Sequence, residues 1–287
     1  MNKVLDSSSP RVRPRVWLGI GAFLAYLAVF YSIWIVNGID YSRVGESEQT
    51  LLAWYVAPLS GGLVVIVVVV SIFGWWRPSL IEKRPLRKSA LVLPALMAVV
   101  AVVNMVFGDQ SAVTPTMWLY LVVGSVLVGF NEEVIARGQL LVALRTRFGE
   151  TGVWFVSTLF FSLLHLPNAF FGLGSIAILQ VFIQFGLGSV YYLARRFSGS
   201  LVPAMILHGL WDFSTFSSNV PYAGLAAPFL GIAAVIVVVV LLRTDTRRTR
   251  SSPAEEHQDA GRGDRDETRP EQDRDDLPQD DPPLRHA

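Results

Sequence analysis

Long uncharged apolar runs alternate with short polar connectors from residue 16 to residue 242. The runs fall at roughly 16–36, 51–74, 89–107, 116–144, 153–172, 175–194, 201–218 and 223–242. Runs of about 20 residues, rising 1.5 Å each as helix, match a hydrocarbon core about 30 Å thick. Lipid offers no hydrogen bonds, so such segments must satisfy their backbone internally as helices. The pattern therefore predicts an all-α fold, a polytopic membrane bundle of about eight transmembrane helices over 16–243. Residues 1–15 form a short polar segment before it. The first run is too long for a cleaved leader, and no small-residue cleavage site follows it, so it reads as an anchor. The pattern stops near 244. Residues 251–287 hold 12 acidic and 5 basic residues and five prolines. So little apolar surface cannot offset chain entropy, and 244–287 is expected to be a disordered tail with solvated His257 and His286.

Charge placement orients the bundle. With the N-terminus inside, segments 1–15, 75–88, 145–152, 195–200 and 243–250 are cytoplasmic and carry 17 Lys and Arg, whereas the loops on the other side carry one, Arg43. That asymmetry predicts an integral protein of the cell membrane with both termini in the cytoplasm. Trp17, Trp75, Trp76, Trp118, Trp154, Tyr191 and Tyr192 fall at span ends, where amphipathic rings settle. The net charge of +1 is segregated rather than gathered into a surface, so nucleic acid is not an expected partner; membrane lipid is. With no cysteine in the chain, disulfide and thiol chemistry are excluded.

Six ionisable residues stand inside the apolar runs: Glu132, Glu133, Arg137, His165, His208 and Asp212. Buried charge is costly in hydrocarbon, which makes such residues functional candidates. Glu133 and Arg137, four apart on a helix, can pair along one face, leaving Glu132 free for chemistry. Phe161 lies one turn before His165 and can pack on its ring. His208 and Asp212 form another four-residue pair, in which the carboxylate can orient the ring. Counted from the cytoplasmic ends at 1.5 Å per residue, Glu132, His165, His208 and Asp212 lie about 20, 18, 10 and 16 Å deep. Similar depth on three helices predicts one polar chamber, reached from the cytoplasm, with Gly129, Gly138, Gly186, Gly188 and Gly209 permitting close packing. Asn104, Gln180 and Gln184 read as hydrogen-bonding groups between helices, and Asn168 as a helix terminus. A lone membrane histidine or a Glu–Arg pair is commonly structural; their coincidence at one depth favours a site.

Carboxylate and imidazole around trapped water suit hydrolysis of an acyl bond, with the carboxylate as base and an imidazole as relay or oxyanion donor. HExxH, GxSG, GxGD and Walker A motifs are all absent. Zinc or another divalent metal on Glu132, His165 and His208 remains an alternative, since these are acceptable ligands; no cofactor is favoured.

Together, Glu132-Glu133-x-x-x-Arg137, Phe161-x-x-x-His165 and His208-x-x-x-Asp212 resemble the three motifs of the CPBP family, the CAAX prenyl proteases and bacteriocin-processing enzymes also called the Abi family. The resemblance covers about 116–218. It implies an intramembrane endopeptidase with a conical cavity open to the cytoplasm, acting on a lipidated, prenylated or hydrophobic peptide. By similarity, Glu132 and His165 activate the water, His208 and residue 212 stabilise the oxyanion, and Glu133 and Arg137 support the site. The prenyl-protease branch generally has Asn where this chain has Asp212. An ionised carboxylate cannot donate to an oxyanion, so Asp212 is either protonated or orients His208. The resemblance favours a glutamate-dependent, metal-free mechanism. The alternative readings are a non-catalytic immunity or scaffold protein that binds a hydrophobic peptide, and a small transporter.

Overall fold

The computed structural model describes residues 10–83, 85–218 and 222–263, with side chains to Thr244. Its chain divides at Arg243/Thr244 into two units. In the first unit, seven segments are long and apolar enough to cross a membrane. They are α1 (Val16–Val36), α2 (Glu48–Phe73), α3 (Lys88–Val106), α4 (Pro115–Leu144), α5 (Glu150–Phe170), α6 (Ile176–Ser198) and, after a shorter helix, α8 (Tyr222–Thr244). The shorter helix, α7 (Val202–Phe216), has 15 residues, about 22 Å of rise. It occupies the seventh expected run and lies against α4, α3 and α6. The last helix is described to Gly263. Residues 264–287, on which most of the expected disordered tail falls, lie outside the described residues.

Helix boundaries follow local chemistry. Thr114 caps α4 by accepting from the Met117 amide, with Pro115 at the first helical position, where its missing N–H costs nothing. Gly74 and Gly199 end α2 and α6 in the left-handed conformation. Two helices carry wide π turns, at Leu51–Val56 in α2 and Val134–Leu140 in α4. Such turns rotate the following side chains out of regular register and recur at functional sites. The second begins directly after Glu133.

One close approach brings the polar residues together. A Cβ added at Gly129 would stand 2.3 Å from the Met205 carbonyl oxygen, and one at Gly209 would stand 2.5 Å from that of Ser125. The α4 and α7 backbones therefore touch, as small residues permit in membranes, and the Glu132–Glu133 turn faces His208. Asn104, wholly buried, adds polar ties: it donates to the Ser214 carbonyl of α7 and accepts from the Ala223 amide of α8.

The basic connectors gather at one end. Arg145 bonds Glu82 and Glu150 at 2.8 and 2.7 Å, Arg195 reaches Glu82 at 3.2 Å, and Arg196 reaches Glu150 at 2.7 Å. Arg11 and Val12 join the same end through Ser71 and Phe73. Sequence places Arg195, Arg196 and Glu82 in connectors outside the apolar runs; in the structure they are buried. The last turn of α6 packs inward, and mutual pairing compensates the charge. Trp75, Trp154, Tyr191 and Tyr192, expected at the lipid interface, are also buried within the bundle, whereas Trp17 is exposed.

The α4–α7 contact yields a test. Gly129→Leu should lower the melting temperature in detergent by roughly 3–10 °C, the effect of overpacking by about 1–3 kcal/mol. Gly21→Ala, whose Cβ meets nothing within 4 Å, should leave it unchanged or raise it. Equal melting of G129L and wild type would contradict the contact.

Candidate active site

All six ionisable residues from the apolar runs converge. Glu133 is the hub. Its Oε1 accepts from Arg137 Nη1 at 2.9 Å and meets His208 Nδ1 at 3.0 Å, with all three side chains almost wholly buried. A carboxylate held by a guanidinium is an acceptor, so His208 Nδ1–H donates to it and Nε2 faces the other way. Nε2 lies 4.0 Å from Glu132 Oε2 and 3.9 Å from Asp212 Oδ1. The spacing of His208 and Asp212 suggests that Asp212 orients the ring; the hydrogen bond instead comes from Glu133 on another helix. Helical spacing reports only neighbours on one helix, which is why sequence missed this contact.

Aromatic rings fix the rest. The Arg137 guanidinium lies 3.6 Å from the Phe161 ring centroid and 5.5 Å from that of Tyr191. Gly188 makes room for it, since a Cβ there would come within 2.3 Å of Arg137 Nη2. Phe161 also presents its ring edge-on to His165 at 5.5 Å and to His208 at 5.6 Å. Tyr191 stacks on His208 at 4.4 Å and 18°. Flat packing of this kind restricts ring rotation as tightly as a hydrogen bond would.

Regular α5 stops at Leu163, and a 3₁₀ turn follows over Leu166–Phe170. His165 sits in the joint, with Nδ1 3.2 Å from the Phe161 carbonyl oxygen and its other nitrogen directed elsewhere. The Asn168 side chain donates to Gln180, which donates to the Tyr41 hydroxyl at 3.0 Å. Burial, followed by the nearby Asp212 charge, pushes the Tyr41 phenol up to about 12, so it remains neutral.

A cavity of about 180 Å³ joins these groups. Glu132, His165, His208 and Asp212 line it, while Glu133 and Arg137 lie behind its wall. The space is large enough for several waters, and Glu132 Oε2 makes no protein hydrogen bond. Aromatic rings make up much of the remaining wall, Phe30, Tyr31, Trp34, Trp54, Trp211 and Phe216 among them, with Asn168, Gln180, Gln184 and Thr215 as polar members. Single sequence runs gave no sign of this wall, because its aromatic members come from three helices and meet only in the folded bundle.

The cavity does not run toward the basic connectors, contrary to the expected cytoplasmic approach. Its lining comes from the C-terminal part of α1, the N-terminal half of α2, the joint after α5, the N-terminal part of α6 and the C-terminal half of α7. All of these point away from the basic end. Depth counted from one end fixes a level but not a door. The early end of regular α5 at Leu163 places His165 on the far side.

Among the described residues, no three His, Asp or Glu side chains are arranged to hold a metal. Ligands of one tetrahedral zinc lie roughly 3.4 Å apart, given bonds of about 2.1 Å. The Glu132, His208 and Asp212 atoms are more widely set, and His165 Nδ1 is turned to its own backbone. Glu132 and His208 stand wider than that spacing, and His165 could reach a metal only through its other ring nitrogen.

Residues 114–214 match the family model for type II CAAX prenyl endopeptidases, Rce1-like. The match spans all three polar clusters and the helices that carry them. The match is consistent with the CPBP intramembrane proteases. The matched segment comprises α4 through most of α7; α1 and α2, outside it, also line the chamber. The chain has no significant match among curated proteins.

The hub predicts a split in stability. Glu133→Gln leaves Arg137 buried without its counter-charge and should cost about 3–5 kcal/mol. Glu132→Gln removes no hydrogen bond and should melt within a degree or two of wild type by fluorimetry in detergent. Equal destabilisation by both would contradict the division.

Proposed function

We propose that this integral membrane protein is an intramembrane endopeptidase in which Glu132 and His165 activate a water trapped in the chamber. The observation carrying this is the convergence of Glu132, His165 and His208 on one cavity from three helices, within a segment matching a peptidase family. Glu132 takes the proton as water attacks the scissile carbonyl, and His165 holds the water and shares the proton. His208 stands opposite, fixed by Glu133 and Tyr191. With both ring nitrogens protonated, its Nε2–H donates to the oxyanion. Asp212 borders the same point and adjusts His208 rather than donating itself. The proton then passes from Glu132 to the leaving amine. The substrate is a peptide with an apolar or lipidated segment, which the aromatic wall receives. The positive-inside bias places both termini in the cytoplasm.

Purified protein in mixed micelles, assayed on a quenched peptide library, tests this. Glu132→Gln should abolish cleavage while melting normally, and His165→Ala should lower kcat/KM about 10²–10⁴-fold. Asp212→Asn should retain activity to within about tenfold, since it stands outside the proton path. Cleavage that survives Glu132→Gln would remove the assignment in favour of a peptide-binding, non-catalytic protein. Activity lost to a chelator and restored by zinc would replace the metal-free mechanism.

A further inference from the structure

The expected cytoplasmic approach disagrees with the placement of the cavity, and the disagreement bears on the substrate. Two independent observations bear on sidedness. With alternating crossings, the sequence assigns 17 Lys and Arg to the connectors and adjoining segments of one side and Arg43 alone to the other. The structure brings the basic connectors to one physical end, through Glu82 with Arg145 and Arg195, and Glu150 with Arg145 and Arg196. The chamber is lined from the opposite halves of the helices, out to Tyr41 and Val44 in the α1–α2 connector and Phe216 at the end of α7.

The basic side of the chamber is sealed. Beneath Glu132 and His208 lie the Glu133–Arg137 pair and the Phe161 and Tyr191 rings, all fully buried. Beneath those, buried Arg195 donates to the carbonyls of Arg137, Pro78 and Ser79, tying α4, α6 and the α2–α3 connector into one plug. From Glu132 to Leu144, where α4 ends on the basic side, is 12 residues, about 18 Å of packed helix. At the other end, Thr215 is exposed on the chamber rim.

We propose that the chamber receives its peptide from the non-cytoplasmic side of the membrane, so that its substrates are apolar peptide segments presented at that face rather than cytoplasmic C-termini. This rests on the peptidase reading for what happens inside the chamber, but not for the direction of the opening. The aromatic wall then faces a segment that has already crossed the bilayer or is anchored in its outer leaflet, and the plug keeps the site from the cytoplasm.

Because the natural chain has no cysteine, single reporters decide the matter. S111C, in the connector before α4, T215C, at the rim, and T146C, at the basic end, are treated in intact spheroplasts with a membrane-impermeant maleimide, before and after lysis. S111C and T215C should label about as strongly before lysis as after; T146C labelling should rise about tenfold or more on lysis, as a cytoplasmic connector requires. Labelling of T146C but not S111C in intact spheroplasts overturns the proposal, as does T215C that remains protected while S111C reacts. If T215C fails to accumulate, exposed Ser42, beside Tyr41, supplies the rim reporter as S42C. Labelling needs no turnover: a reversed pattern leaves the peptidase reading intact, and cleavage by E132Q would sink that reading while leaving the sidedness result standing.

Discussion

A single carboxylate oxygen, Glu133 Oε1, holds the interior of this bundle together. It accepts from Arg137 along its own helix and from His208 across to the next. A buried ion pair is costly in a medium without water unless further contacts compensate it. Here the guanidinium lies over Phe161 and near Tyr191, and the carboxylate is shared with an imidazole. That arrangement neutralises the buried charge and fixes which His208 nitrogen faces the cavity. It also leaves Glu132, one residue away and unpaired, as the carboxylate available to water. Consecutive helical residues point about 100° apart, so one turn of α4 supplies both a structural and a reactive carboxylate.

The helical architecture was legible in the chain because hydrophobic length is a direct physical requirement of the bilayer. Seven runs reappear as long helices, and the eighth as the 15-residue α7. The pairing of Glu133 with Arg137 was equally legible, since four-residue spacing on a helix is local geometry. The Glu133–His208 contact was not: it depends on the Gly129–Gly209 crossing, and a sequence shows that small residues permit close approach without showing which helix approaches. The π turn after Glu133 was also silent, because no residue in Val134–Leu140 forbids a regular helix.

Charge in the connectors was read only halfway. Counting Lys and Arg gave a clear asymmetry, but placing Arg195, Arg196 and Glu82 in connectors did not show that they pack inward as a network. Burying this network closes one end of the bundle, the end away from the chamber's lining. The cost of buried guanidinium groups is thus connected to access: their partners must come from several helices, and gathering those partners makes the plug. The aromatic part of the wall has the complementary character, apolar enough for a hydrophobic peptide.

The most direct test is the cleavage activity of the double variant Glu133→Leu/Arg137→Leu, measured beside its melting temperature. Removing both charges together avoids stranding either one, so stability should return toward the wild-type value, unlike that of Glu133→Gln alone. Cleavage should be lost, because His208 has lost the carboxylate that holds its ring and supports the doubly protonated form that donates to the oxyanion. A double variant that is stable and cleaves at the wild-type rate would contradict the role given to Glu133.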